Sequence, residues 1–125
     1  MMFNNDVVEA MYKLDHNTIV VSFRETVIDL DHIKETYAML YQLAEDKPHK
    51  KLILTGKKTA ITKEARYYGM QEAKRIGGNV LAEAVIVHSL YQKMVINFYS
   101  KFIDSTYPTR FFTDIEKAKE WLANF

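Results

Sequence analysis

No cysteine occurs among the 125 residues. Disulfides, thiolate catalysis and cysteine-based zinc sites are therefore excluded. An excess of charge of one sign is lacking too. Seventeen basic residues against sixteen acidic ones leave a formal net charge of +1, which argues against a chain-wide field for nucleic acid. No apolar stretch is long enough to span a bilayer. Met1 to Asp6 has neither the basic segment nor the apolar run of a signal peptide, so a cytoplasmic protein is expected. Repeats, low-complexity tracts and interdomain linkers are missing, and the length suits one domain over residues 1–125. Glycine is scarce, at four residues, and none of them builds a dinucleotide fingerprint. Gly56-Lys57-Lys58-Thr59 suggests a P-loop only superficially. Lys51 stands where the first glycine is required, and an extra lysine separates the remaining parts. What is present is an ordinary globular composition, 48% hydrophobic and 26% charged, enough for a normal core.

The last third carries the clearest architecture. Ala84-Val85-Ile86-Val87 is a short continuous apolar run, expected of a strand buried on both faces and placed within Ala82 to His88. Ser89-Leu90-Tyr91-Gln92 has the pattern of a capping box opening an amphipathic helix to about Ile103. Pro108 to Phe112 reads as a strand, and Thr113-Asp114-Ile115-Glu116 as a second capping box. Earlier in the chain, Val7 to Leu14 suits either a helix or a strand. Thr18 to Phe23 is β-branched and follows the turn-forming Asp15-His16-Asn17, which favours a hairpin, with Val8, Ala10, Tyr12 and Leu14 on one face. Asp31 is expected to cap a helix running to about Glu45, with Ile33, Tyr37, Leu40, Tyr41 and Ala44 near one face and Pro48 closing its exit. Lys51 to Thr55 forms a strand. Thr62 caps a helix to about Ile76, ended by Gly77-Gly78 in the left-handed conformation. The order is β-β-α-β-α-β-α-β-α, an α/β fold with a mostly parallel sheet, an antiparallel first strand and flanking helices.

In such a sheet a ligand lies beyond the carboxyl ends of the parallel strands. Those ends carry Arg24 and Glu25, then Thr55-Gly56-Lys57-Lys58-Thr59, then His88-Ser89, then Thr113-Asp114. Helix N-termini at Thr62, Ser89 and Thr113 face the same edge and favour an anion. Arg24, His88, Ser89 and Thr113 thus outline a candidate crevice, and Thr55, Lys57, Lys58, Thr59 and Thr62 a candidate binding loop. Plain helix caps and a solvated loop account for the same residues, and that simpler reading is preferred. His88 has the chemistry of a general base but no carboxylate near it in sequence, and Ser89 lacks the glycine-flanked elbow of a hydrolase nucleophile. No pair among His16, His32, His49 and His88 has metal-ligand helical spacing, so neither a metal nor a cofactor is expected.

The helix from Leu90 to Ile103 has more apolar surface than one face requires. Leu90, Met94, Phe98 and Phe102 form one stripe; Tyr91, Val95 and Tyr99 form an adjacent one. Three coverings are open: a neighbouring helix of the same chain, a second subunit, or an apolar ligand or membrane surface flanked by Lys93 and Lys101. The candidate interface is Tyr91, Val95, Phe98, Tyr99 and Phe102.

Several segments together resemble a known family. They are Ile61-Thr62-Lys63-Glu64-Ala65-Arg66-Tyr67-Tyr68, Asn97-Phe98-Tyr99, Pro108-Thr109-Arg110-Phe111-Phe112-Thr113-Asp114 and Lys117-Ala118-Lys119-Glu120-Trp121-Leu122. The chain resembles small bacterial STAS-like proteins of the SpoIIAA-like fold, relatives of the anti-sigma-factor antagonists, a fold also similar to the lipid-carrying CRAL-TRIO domain. The resemblance implies a non-catalytic regulatory module that acts through an unidentified protein partner, with a hydroxyl phosphorylated at the start of the helix after the third strand. The Asp-Ser pair usual there is absent; Thr55, Thr59 and Thr62 are the hydroxyls in the matching loop. The expected function is a cytoplasmic STAS-like interaction module, a homodimer, with no nucleic-acid or transmembrane role. The alternative is a carrier of a small apolar ligand or lipid. An enzyme using His88 with Arg24, Lys57 or Arg110 ranks third, because no nucleophile–base pair stands out.

Overall fold

A carboxylate sets the first turn. Asp15 Oδ1 accepts the backbone N–H groups of Asn17 (3.0 Å) and Thr18 (2.8 Å), closing a hairpin by an Asx turn. Burial alone would raise the Asp15 carboxyl, but these donors together hold it below its ordinary value. The computed structural model describes residues 2–89, 92 and 107–125. The hairpin pairs β2 (Val8–Lys13) with β3 (Thr18–Phe23); β1 (Met2–Phe3) lies outside β2. Val7 to Leu14 is therefore strand rather than helix. Its alternation is not regular, however. Val8 faces Phe23 and Ala10 faces Ser22, leaving Glu9 as the extra residue of a bulge. The bulge puts Val8 and Met11 in one core cluster and turns Tyr12 to the other, so the single face of Val8, Ala10, Tyr12 and Leu14 does not form.

From β3 the sheet continues in parallel through β5 (His49–Leu54), β7 (Val80–Ile86) and β8 (Thr109–Phe112), giving the order β1-β2-β3-β5-β7-β8. Two short strands, β4 (Val27–Ile28) and β6 (Ala60–Ile61), form a separate parallel pair that the sequence pattern does not announce. Helices α1 (Leu30–Ala44) and α2 (Lys63–Ile76) cover one face of the sheet, and α3 (Ile115–Leu122) covers the other. Ile19 and Val21 pack with Ile33, Leu40 and Ala65; Val20, Leu52, Ala82 and Ala84 pack with Ala118 and Leu122. Both faces are apolar because both are roofed. Lys50 joins the two levels: its Nζ donates to the Leu122 carbonyl at 2.9 Å, where a cation also suits the carbonyl end of α3.

Three helix ends differ from the sequence reading. Asp29, not Asp31, caps α1, its carboxylate accepting His32 N–H at 2.8 Å; Asp31 falls in the first turn. Asp114, not Thr113, caps α3, accepting from Glu116 N (2.8 Å) and Lys117 N (3.4 Å). Adjacent cap-forming residues leave such a choice to local backbone geometry. Gly77 and Gly78 do not turn left-handed; α2 tightens instead into a 3-10 turn over Gly77–Asn79. The left-handed residues are Glu45 (φ 52°) and Asp46 (φ 56°), just past α1. Thr62 caps α2 as expected, accepting Ala65 N–H at 3.2 Å. The expected helix from Leu90 to Ile103, with the stripe Tyr91, Val95, Phe98, Tyr99 and Phe102, lies outside the described residues apart from Gln92.

Candidate functional site

The carboxyl ends of β3, β5 and β7 are knitted together by the loop that follows β5. Thr55 Oγ1 donates to the Ile86 carbonyl at 2.6 Å. Thr59 Oγ1 accepts Gly56 N–H and donates to the Arg24 carbonyl, each at 2.9 Å. Glu25 Oε1 accepts Lys57 N–H at 2.8 Å. A Cβ at Gly56 would lie 2.3 Å from Glu25 Cγ, so glycine is what lets these two segments approach. His88 Nε2 contacts the Thr55 carbonyl. Ser89 Oγ accepts Gln92 N–H at 2.9 Å, while Gln92 Oε1 accepts His88 N–H at 2.8 Å. The Gln92 amide then reaches across to the Gly56 carbonyl at 3.2 Å. The box written in the sequence thus also fastens β7 to the β5 loop, a role its cap pattern does not reveal.

The candidate residues therefore fall into unequal groups. Thr55, Thr59, His88, Ser89 and Gln92 meet. Lys57 and Lys58 are exposed on the same loop. Arg24 contributes its carbonyl; its guanidinium turns away, Nε donating to the Asn5 carbonyl at 3.3 Å. Thr113 is exposed and makes no hydrogen bond to this cluster among the described residues. The threonine hydroxyls at 55, 59 and 62 are each engaged in the scaffold.

Behind the loop, the described residues line a space of about 770 Å³ between the sheet and helices α1 and α2. Its walls are mostly apolar, among them Met11, Phe23, Ile53, Ile61, Met70, Val85 and Phe111. Lys57, Lys58, Ser89 and Gln92 line its exposed end. Deeper in the fold lie Lys51, Glu83, Tyr37 and Tyr107. Lys51 sits four residues before Thr55, about 13 Å along the strand. It pairs with Ile19 of β3 on one side and Glu83 of β7 on the other, and Glu83 in turn with Thr109 of β8. Only 3% of Lys51 is exposed. Its Nζ lies 5.7 Å from the Tyr37 ring centroid and 5.4 Å from that of Tyr107, within cation–π range. Burial, then the charge of Glu83, pushes both tyrosine hydroxyls well above their ordinary pKa, so they stay protonated at neutral pH. Sequence reasoning passed over this group. Glu83 carried a signal, a charge between Ala82 and Ala84 in an apolar strand, whereas Lys51 follows His49 and Lys50 and carried none.

Elsewhere, His49 is buried. Its Nδ1 engages the Lys47 carbonyl at 2.9 Å, while Nε2 has no partner among the described residues. Burial first, with Lys51 and Lys13, pulls its pKa below the usual 6.5. Among the described residues, no three His, Asp or Glu side chains gather as a metal site, and no helix is long and apolar enough to cross a membrane.

A family model described as a domain of unknown function (DUF7793) matches residues 12–125. No curated protein matches the chain. Among solved structures, an uncharacterized protein of the DUF3478 family with a SpoIIAA-like fold, from Shewanella loihica PV-4, is similar at a TM-score of 0.70. It shares 14% sequence identity, over 98% of each chain. At that identity the likeness concerns the fold, and the fold is SpoIIAA-like, as the sequence motifs imply.

Proposed function

The chain belongs to the DUF7793 family, and from its interior we propose that it is a non-catalytic binding module that takes up a small, mainly apolar molecule between its sheet and helices α1 and α2. One observation carries this: the cavity of about 770 Å³, in the range of small-molecule sites, with apolar walls and a few convergent polar groups. The non-catalytic part is supported by how the reactive-looking groups are held. His88 is tied to the Thr55 carbonyl, and the Ser89 hydroxyl to the Gln92 N–H. Native mass spectrometry of protein purified from its own host without detergent, then incubated with 1-decanol, tests the reading. One decanol or one endogenous small molecule per chain is expected, and its loss in Val85→Phe. A wild-type chain that stays empty after incubation contradicts it.

A second reading is the partner-binding module, favoured by the exposed Lys57 and Lys58 on a loop whose backbone is fixed from three strands. Phosphate on Thr62 would meet the N-terminus of α2 favourably. Phosphate on Thr59 would remove the hydroxyl that holds Gly56 and Arg24. Thr62→Glu and Thr59→Glu should accordingly alter partner capture or assembly. If neither does, the switch has no basis.

A further inference from the structure

We propose that His32 is a proton-operated clamp: as an imidazolium it fastens the connection between β1 and β2 to the first turn of α1, and on losing its proton it lets that connection, and with it the edge of the sheet, open.

Both nitrogens of the one ring face carboxylates. Nδ1 lies 2.8 Å from Asp29 Oδ1, the same oxygen that accepts the His32 backbone N–H. Nε2 lies 3.4 Å from Asp6 Oδ2, on the segment between β1 and β2. A neutral imidazole carries a single N–H and so serves one of these acceptors. The shorter contact keeps the proton at Asp29, which leaves the Nε2 lone pair turned towards a carboxylate oxygen. Protonation makes both nitrogens donors, and the Asp6 contact changes from repulsion to a charge-assisted hydrogen bond.

The surroundings decide which form prevails near neutrality. His32 stands in the first turn of α1, where the helix dipole opposes a cation. The hydrogen bond to Asp29 first, against some desolvation, and then Asp6 raise the ring above its ordinary pKa of 6.5. Asp31, Lys34 and Glu35 lie on the same helix, and Arg24 reaches the Asn5 carbonyl. None of the four pairs with the ring among the described residues.

Asn5 ties the connection to the strands. Its Oδ1 accepts Val7 N–H (2.8 Å) and Val8 N–H (2.6 Å), its own N–H donates to the Val8 carbonyl at 3.0 Å, and its carbonyl accepts from Arg24. Towards α1 it makes a hydrogen bond of 3.5 Å, from Nδ2 to Thr36 Oγ1, which is long for such a bond. β1 itself is two residues, Met2 and Phe3, at the outer edge of the six-stranded sheet. Phe3 packs on the cluster that includes Val8, Ile33 and Leu40. Short edge elements are where a fold opens first, so loss of the clamp loosens the cover over the outer side of β2.

The test is NMR of the full chain across the His32 titration. Imidazole nitrogen shifts should show His32 titrating at lower pH in Asp6→Ala, and in Asp29→Asn, than in wild type. Asp6 is exposed, and asparagine still caps α1, so both variants keep the fold. Exchange of the Asn5 amide, corrected for its intrinsic pH dependence, should become about twofold to fivefold faster as wild-type His32 loses its proton, the size expected of an exposed ion pair. That step should vanish in Asp6→Ala and in His32→Gln. A His32 titration unmoved by Asp6→Ala means that the ring is held at one nitrogen only, and overturns the proposal. An Asn5 step that is missing in wild type, or that survives His32→Gln, overturns it too.

Discussion

Replacing Val85 by phenylalanine asks whether the space beneath α1 and α2 is room or packing. Val85 lies on β7, paired with Ile53 and Phe111 in the sheet, and forms part of the cavity wall. Phenylalanine adds roughly four carbons there, and complete burial at about 0.8 kcal/mol per methylene sets a ceiling of about 3 kcal/mol. Lost rotamer freedom and imperfect fit reduce that, leaving a gain of about 1–2 kcal/mol. The same change in a filled core costs about 1–3 kcal/mol through overpacking. The two cases differ in sign, which makes the measurement decisive. Urea unfolding followed by circular dichroism reads it directly, and a gain of that size should raise the melting temperature by roughly 5 °C. Loss of stability by 1 kcal/mol or more, with decanol binding unchanged, would refute the reasoning from cavity to function.

Three further outcomes follow from the packing. Lys50→Met removes a buried charge-assisted hydrogen bond to the Leu122 carbonyl. That carbonyl keeps its bond from Phe125 N–H at 3.2 Å, so urea unfolding should show a loss of about 1–2 kcal/mol and not more. Asp114→Ala should cost about 0.5–2 kcal/mol by removing the cap of α3, whereas Thr113→Ala should be close to neutral; equal effects would contradict the assignment of the cap. Burial and the charges of Lys51 and Lys13 depress the His49 pKa below 6.5. The unfolded chain then binds more protons than the folded one just below that value. Its contribution is complete above about pH 6.5 and is lost as the pH falls towards the folded pKa. His32 works the other way: raised by its hydrogen bond to Asp29, it supports the fold below about pH 6.5 and ceases to as the pH rises through its folded value. Urea midpoints between pH 7.5 and 5 should decline more steeply in wild type than in His49→Gln, and identical slopes would exclude His49 as the source.

The fold is legible wherever burial leaves a periodic trace. Ala84 to Val87 is uniformly apolar because α3 packs on Ala84 and Ile86 while Val85 and Val87 on the other face are buried too. Thr62 is recognisable as a cap because the helix behind it opens within one residue. Where legibility fails, the cause is a choice between near-equivalent residues or a contact made at long range. Glu9 carries no mark of a bulge, since neither glycine nor a polar pair stands there. Thr113 and Asp114 are both good caps, and only the backbone turn after β8 chooses between them. Lys50 and Lys51 look like the solvated start of a strand. The sheet turns them to opposite faces, one to the end of α3 and one into the cavity, and roofs both. Tyr37 and Glu83 lie 46 positions apart in the sequence, so no local pattern brings them together. The candidate loop was readable because its parts sit at strand ends; the interior was not, because its polar group is assembled from β5, β7, α1 and the segment before β8.

The most direct test of the central claim is a methyl-labelled NMR titration of the wild-type chain with 1-decanol. The account predicts saturable one-to-one shifts at Val85, Ile53 and Met70, and none of comparable size at Val20 or Leu52 on the α3 face. Shifts that are absent, unsaturable or spread equally over both faces would contradict it.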